Sequence, residues 1–277
     1  MYQRYVKVKG TARERGYQFG VQMKEQIITN YINQTEYYKN KEQFDYKKWE
    51  KMAERYVPMI EKWAPEVLEE MRGLAEGAEM EFDQILALTT AYEKSFARDQ
   101  VSDKCTAFLA APCATKDGKV IVGQTNDECF REWLYQLDVV VHHQEGKKEV
   151  LTYTHPGIPA YMGINNDGLC IMWTYIDNGV TGNGVPTNVI IRHLLELKTV
   201  DEAITEALVK LGTTSDRIEY EIVEKGNNGF LGIGRKDAVI KVRKKYSVND
   251  DIKDFLNKVF EAMDLKVEIV MTAEENS

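Results

Sequence analysis

The sequence predicts an α+β chain, and three observations carry that prediction. The first hundred residues space their apolar positions as helices do. From Cys105 onward the pattern changes to short β-branched runs divided by turn residues. After residue 199 the succession is α-β-β-α-β.

Taken in order, "TARERGYQFGVQMKEQIITNYI" forms a helix with Tyr17, Val21, Ile28 and Ile32 along its apolar face. A second helix falls within 47–63 and is broken around Pro65. "APEVLEEMRGLAEGA" makes a third, stopped by Gly73 or Gly77, and "EFDQILALTTAYE" a fourth. "CTAFLAA", "KVIVGQ" and "LDVVVHH" are strands, with "KDG" at 116–118 turning the chain between the first two. "EVLTYT", "YMGINN" and "LCIMWTYI" continue the sheet, and "NDG" at 166–168 joins the last two as a hairpin. The helix "TNVIIRHLLEL" follows. Thr199 and Glu202 then form a T-x-x-E capping box, and Val200, Ala203, Ile204, Ala207, Leu208 and Leu211 hold helical spacing up to Gly212. "IEYEIVEKG" and "DAVIKVRKK" are strands around "NNGFLGIG". Ile252, Phe255, Leu256, Val259, Phe260 and Met263 stripe a further helix, and "LKVEIVM" alternates as a strand.

The composition, 43% hydrophobic and 29% charged over 277 residues, is that of a globular chain long enough for two domains. A net charge of −8 argues against a dedicated nucleic-acid binder, although a local basic face is compatible with it. No run of about 18 apolar residues is present, so no membrane span is expected. "MYQRYVKVKG" lacks the apolar core of a secretory signal. Cys105, Cys113, Cys129 and Cys170 form no C-x-x-C pair. Neither a metal site nor a disulfide framework is expected, no cofactor is called for, and a cytoplasmic location fits.

Cys105, in "DKCTAF", stands where a helical region meets the first strand of a sheet. An N-terminal-nucleophile hydrolase keeps its reactive residue at such a junction. It cuts its own chain before that residue, and the freed α-amine, with a pKa of about 8, serves as the base for the side chain. That chemistry needs no distant histidine. The plain alternative is a buried, inert thiol.

The run "GTARERGYQFG", "EMRGLAEGA", "FDQILALTTAYE", "CTAF", "DGKVIVGQTND" and "GINNDGLCI" resembles the acyl-coenzyme A:6-aminopenicillanic acid acyltransferase family of N-terminal-nucleophile hydrolases. The resemblance implies an αββα fold, a nucleophile at Cys105, self-cleavage between Lys104 and Cys105, and a pro-segment over residues 1–104. It also implies that Asp127 orients the new amine or a neighbouring donor; by itself Asp127 is equally a turn aspartate. His155, in "THPG", lines the pocket or simply makes a turn. Lys104 stands where the family has glycine, and Thr125 and Asn126 where it has asparagine and tryptophan.

From "TVDEAITEALVKLG" through "GFLGIGRKDAVIKVR" the chain resembles the amino-terminal domain of the Jag (KhpB) family of bacterial RNA-binding proteins. Both resemblances claim "KTVDEA", and a capped amphipathic helix suits either. The acyltransferase family's later strand, with an asparagine that donates to the reacting oxygen, has no counterpart after Gly212. "GFLGIG" is not G-x-G-x-x-G and precedes a strand, so no dinucleotide site follows. "GFLG" has the G-x-x-G form of a KH loop but joins strands, which makes it a structural turn or a protein-contact tip. Arg235, Lys236, Lys241, Arg243, Lys244 and Lys245 either meet phosphates or coat a solvated strand.

The expected organisation is therefore a truncated, partial αββα acyltransferase-like domain over 1–198, a small α-β-β Jag-type domain over 199–246, and the start of a KH-like unit over 247–277. The expected activity is cysteine-dependent hydrolysis of a linear C–N bond or acyl transfer, weakened by loss of the later sheet. The alternatives are an RNA-associated regulator and an inactive chimera. The expected partners are a small-molecule amide or acyl substrate and, through the C-terminal unit, RNA or a protein.

Overall fold

The computed structural model describes residues 4–42, 45–91, 93, 105–126, 137–174, 184–200, 202–205, 218–224 and 239–244. Helices and antiparallel strands share the chain, as the α+β reading requires. The elements run β1 (Tyr5–Lys9), α1 (Ala12–Glu42), α2 (Tyr46–Ala53), a 3-10 turn, α3 (Val57–Trp63), α4 (Pro65–Ala78) and α5 (Phe82–Thr89). Then come β2 (Thr106–Ala110), β3 (Ile121–Thr125), β4 (Val139–Glu145), β5 (Lys148–Thr154), β6 (Met162–Asn165), β7 (Cys170–Ile171), α6 (Thr187–Leu194), β8 (Ile218–Glu224) and β9 (Val239–Lys244).

Five strands form one sheet in the order β1-β4-β5-β6-β7, while β2–β3 and β8–β9 make separate two-stranded ribbons. The period of two sorts side chains in the large sheet. Val139, Val141 and His143 of β4 are buried, as are Val150, Thr152 and Thr154 of β5. Val6 and Val8 of β1 join Val139 and Val141 in one core with Phe19, Met23, Ile27 and Leu74 from the helices. On the other face Leu151 and Ile164, register partners, are exposed.

Three findings depart from the sequence reading. Residues 5–9 form a strand where helix was expected, pairing in parallel with β4. The buried face of α1 is not the predicted one. Tyr17, Val21 and Ile32 stand about half exposed, whereas Arg15, Phe19, Met23, Gln26, Ile27, Asn30, Tyr31 and Gln34 are buried. That stripe is half polar, so a search for apolar spacing passes over it. Finally, Gly73 and Gly77 do not stop α4. The helix runs through both to Ala78, where Glu79 takes a left-handed conformation (φ 54°) and Met80 N–H donates to Ala75 O.

The glycines instead let two backbones touch. A Cβ on Gly16 would lie 1.8 Å from Glu70 O, and one on Gly73 would lie 2.0 Å from Arg13 O. Cβ atoms on Gly20 and Gly77 would lie 2.4 Å from Leu74 O and 2.1 Å from Tyr17 O, and the contacts advance in the same order along both helices, so α1 and α4 run in the same sense.

Local chemistry holds where it was expected. Gly118 (φ 69°) and Gly168 (φ 88°) occupy the two predicted turns. Thr199 Oγ1 accepts from Glu202 N–H at 3.1 Å and Glu202 Oε2 accepts from Thr199 N–H at 3.3 Å, completing the capping box. The helical residues beyond it are not detached: Ala203 is buried with Leu169 and Leu194. The predicted helix over 252–263 and the strand after it lie outside the described residues.

Candidate active site

Cys105 immediately precedes β2, and Asn126 immediately follows β3. The ribbon pairs Thr106 with Thr125, so these two residues meet at its end. Thr106 N–H also donates to Thr125 Oγ1 at 3.1 Å, closing that end. Cys105 is half-buried, and its thiol donates to Asn126 Oδ1 at 3.7 Å.

The same oxygen accepts the hydroxyl of Tyr161 at 2.9 Å. Tyr161 belongs to the large sheet's end, and its ring lies 5.3 Å from both His155 and Trp173. His155 is fully buried. Its Nδ1 pairs with Asp138 Oδ1 at 3.1 Å, and Asp138 Oδ2 accepts the Tyr153 hydroxyl at 2.6 Å. Gln124 Nε2 donates to Trp173 O at 2.6 Å, tying β3 to this aromatic group.

Residues before Cys105 support the arrangement. The turn carrying His155 contains Gly157 (φ 93°), where a Cβ would meet Leu88 Cδ1 at 2.7 Å. Asn30 Nδ2 donates to Pro156 O at 2.8 Å. Helices α1 and α5 thus seat the loop that places His155 beside Tyr161.

Cys129 lies outside the described residues, and the other two cysteines differ from Cys105. Burial pushes the Cys170 thiol up, which disfavours the reactive thiolate, and Cys113 is exposed. Among the described residues no group of three or more His, Cys, Asp or Glu side chains is placed to hold a metal ion. No helix among them is long and apolar enough to cross a membrane.

Of the residues predicted from sequence, Cys105 stands at a strand start as expected. Lys104, Asp127, Arg235, Lys236 and Lys245 lie outside the described residues. Lys241, Arg243 and Lys244 fall on β9, whose register sets Lys241 opposite Glu221 and Arg243 opposite Glu219. His155 is brought to the site through Tyr161. Asp138, Tyr153, Tyr161 and Trp173 were not anticipated. They are ordinary strand-end residues locally, and only the sheet's closure gathers them.

Comparison with known proteins divides the chain in two. The Jag N-terminus family model matches residues 196–244. RNA-binding protein KhpB of Clostridium symbiosum is 54% identical over 72 residues, 26% of this chain and 32% of that protein. KhpB of Bacillus subtilis is 37% identical over 75 residues, 27% of this chain and 36% of that protein. The acyl-coenzyme A:6-aminopenicillanic-acid-acyltransferase 40 kDa form of Emericella nidulans is 27% identical over 211 residues, 75% of this chain and 57% of that enzyme. The chain thus spans about a third of the length of the KhpB relatives and little more than half that of the acyltransferase. The N-terminal part resembles the acyltransferase, and the C-terminal part resembles Jag and KhpB.

Proposed function

We propose that residues 1–198 act as a cysteine N-terminal-nucleophile module on a small-molecule amide or acyl substrate in the cytoplasm. Residues 199–246 form a Jag-type unit and 247–277 the start of a KH-like one. The observation supporting the enzymatic reading is the position of Cys105. It opens a strand with its sulfur against Asn126, in a chain similar over 211 residues to an acyltransferase.

In this mechanism, cleavage of the Lys104–Cys105 peptide frees an α-amine, which takes the thiol proton. The sulfur bonds to the substrate's carbonyl carbon, the C–N bond breaks, and the departing amine carries that proton away. Water or a second amine then attacks the thioester and releases the sulfur. Asp127 orients the α-amine or a neighbouring donor.

Intact-mass analysis tests this. Two fragments divided before Cys105 are expected, together with one acyl group added to Cys105 by an active-ester probe. The fragments should co-elute, because β1 hydrogen-bonds to β4 and Arg192 pairs with Glu70 across the cut. Cys105→Ala should be uncut and unlabelled. A single uncut chain whose Cys105 resists acylation would remove the proposal.

A second reading stands on the KhpB similarity and concerns the other end of the chain. There we propose an RNA contact through Arg235, Lys236, Lys241, Arg243, Lys244 and Lys245. Filter binding of single-stranded RNA at low salt should give an affinity that falls with added salt by about 0.7 decade per decade of salt for each phosphate neutralised. Alanine at Lys241, Arg243, Lys244 and Lys245 should weaken binding and flatten that slope. No retention of RNA, or retention indifferent to salt, rejects it.

A further inference from the structure

We propose that Asn126 stabilises the negative oxygen formed when Cys105 attacks an acyl carbonyl, and that Tyr161 fixes Asn126 for that role. The inference rests on the reading of Cys105 as the nucleophile.

A carboxamide has an accepting end and a donating end. Two donors converge on the accepting end of Asn126: the Cys105 thiol at 3.7 Å and the Tyr161 hydroxyl at 2.9 Å. Once the thiol has given its proton to the α-amine, the Tyr161 hydroxyl is the donor that keeps that end turned toward it. The amide's nitrogen lies only about 2.2 Å from its oxygen by amide bond lengths. It is therefore within reach of an oxygen carried by the carbon that the sulfur attacks. In the step itself the Sγ–C bond forms and the carbonyl π pair moves onto oxygen. An N–H of Asn126 donates to that oxygen. Collapse restores the carbonyl and expels the leaving group.

Tyr161 is held for its part. Its ring is set between His155 and Trp173, each at 5.3 Å, with Tyr153 at 6.3 Å. His155 Nδ1 is engaged by Asp138 Oδ1 at 3.1 Å, leaving Nε2 as the ring's other polar atom. Among the described residues that fully buried Nε2 has no hydrogen-bond partner. A buried polar atom in that state calls for a partner, which water or a bound molecule would supply.

The test uses the full chain, p-nitrophenyl acetate and iodoacetamide. Acetylation of Cys105 passes through a negative oxygen and releases p-nitrophenolate. Alkylation displaces iodide directly and forms no such oxygen. Asn126→Ala should slow acetylation roughly 10²- to 10³-fold while alkylation stays within about threefold. Tyr161→Phe keeps the ring and should slow acetylation about tenfold, the loss of one orienting hydrogen bond, with alkylation again spared. Far-UV circular dichroism checks folding. If Asn126→Ala does not fold, the Tyr161→Phe ratio decides. Acetylation at the parent rate in the folded Asn126→Ala chain, or in Tyr161→Phe when that arm decides, overturns the inference and leaves the nucleophile standing. So does alkylation slowed in parallel, since the residue then acts on the thiol. No acetylation of Cys105 in the unaltered chain overturns the nucleophile reading and this one with it.

Discussion

Gly73→Ala should destabilise the fold by about 3 kcal/mol, far beyond the usual effect of so small a change. The added methyl would sit 2.0 Å from Arg13 O and 2.9 Å from Tyr17 N, both backbone atoms of α1. A flexible side chain could swing aside, but a helix backbone cannot. The two helices must separate, and the core they share with the sheet loses its close packing. Gly16→Ala should behave the same way, because its Cβ would lie 1.8 Å from Glu70 O. Gly184→Ala is the control: no atom of the described residues lies within 4 Å of that Cβ. Urea denaturation followed by far-UV circular dichroism measures all three. A parental midpoint for Gly73→Ala would mean that the helices do not touch there.

The second large effect is expected at Glu70. Arg192 Nε and Nη2 donate to its two oxygens at 3.0 and 2.8 Å, and all these groups are buried. Arg15 Nη2 lies 3.4 Å from the same carboxylate, and Arg15 also reaches Gly10 O and Glu145. Glu70→Ala removes the buried carboxylate and leaves Arg192 and Arg15 to the partly exposed Glu196 and the exposed Glu145, and should cost about 3 kcal/mol. Glu69→Ala, one position away, removes an exposed partner of Arg13 and should change the midpoint little.

The same cluster sets a pH dependence. His143 is held well below its ordinary pKa by burial, and further by Arg192 and Arg15. Folding therefore favours its neutral form. Its contribution is complete above the unfolded value of about 6.5 and is lost as pH falls below that. Denaturation midpoints at pH 7.5 and 5.5, with His143→Gln for comparison, should show the parent losing more on acidification than the variant.

Some of this was legible locally. A turn needs glycine at positive φ, so Gly118 and Gly168 marked their turns without reference to anything distant. The Thr199–Glu202 box depends on residues three apart. Cys105 was placed at the start of a strand by the residues after it, while its proposed role came from the family resemblance. The buried face of α1 could not, since Arg15 and Asn30 find much of their pairing inside with Glu70, Glu145 and Pro156 O, far along the chain. Nor could β1, whose parallel partner lies beyond all the intervening helices.

The sequence by itself determined where strands turn, where the capped helix begins and which cysteine opens a strand, because each depends on bonds between near neighbours. Only the tertiary structure decided that Gly73 and Gly77 join helices instead of ending one, and that Asn126, Tyr161 and His155 stand together by Cys105. Those outcomes rest on backbone clashes and hydrogen bonds between segments distant in the chain, and no local pattern encodes such distances.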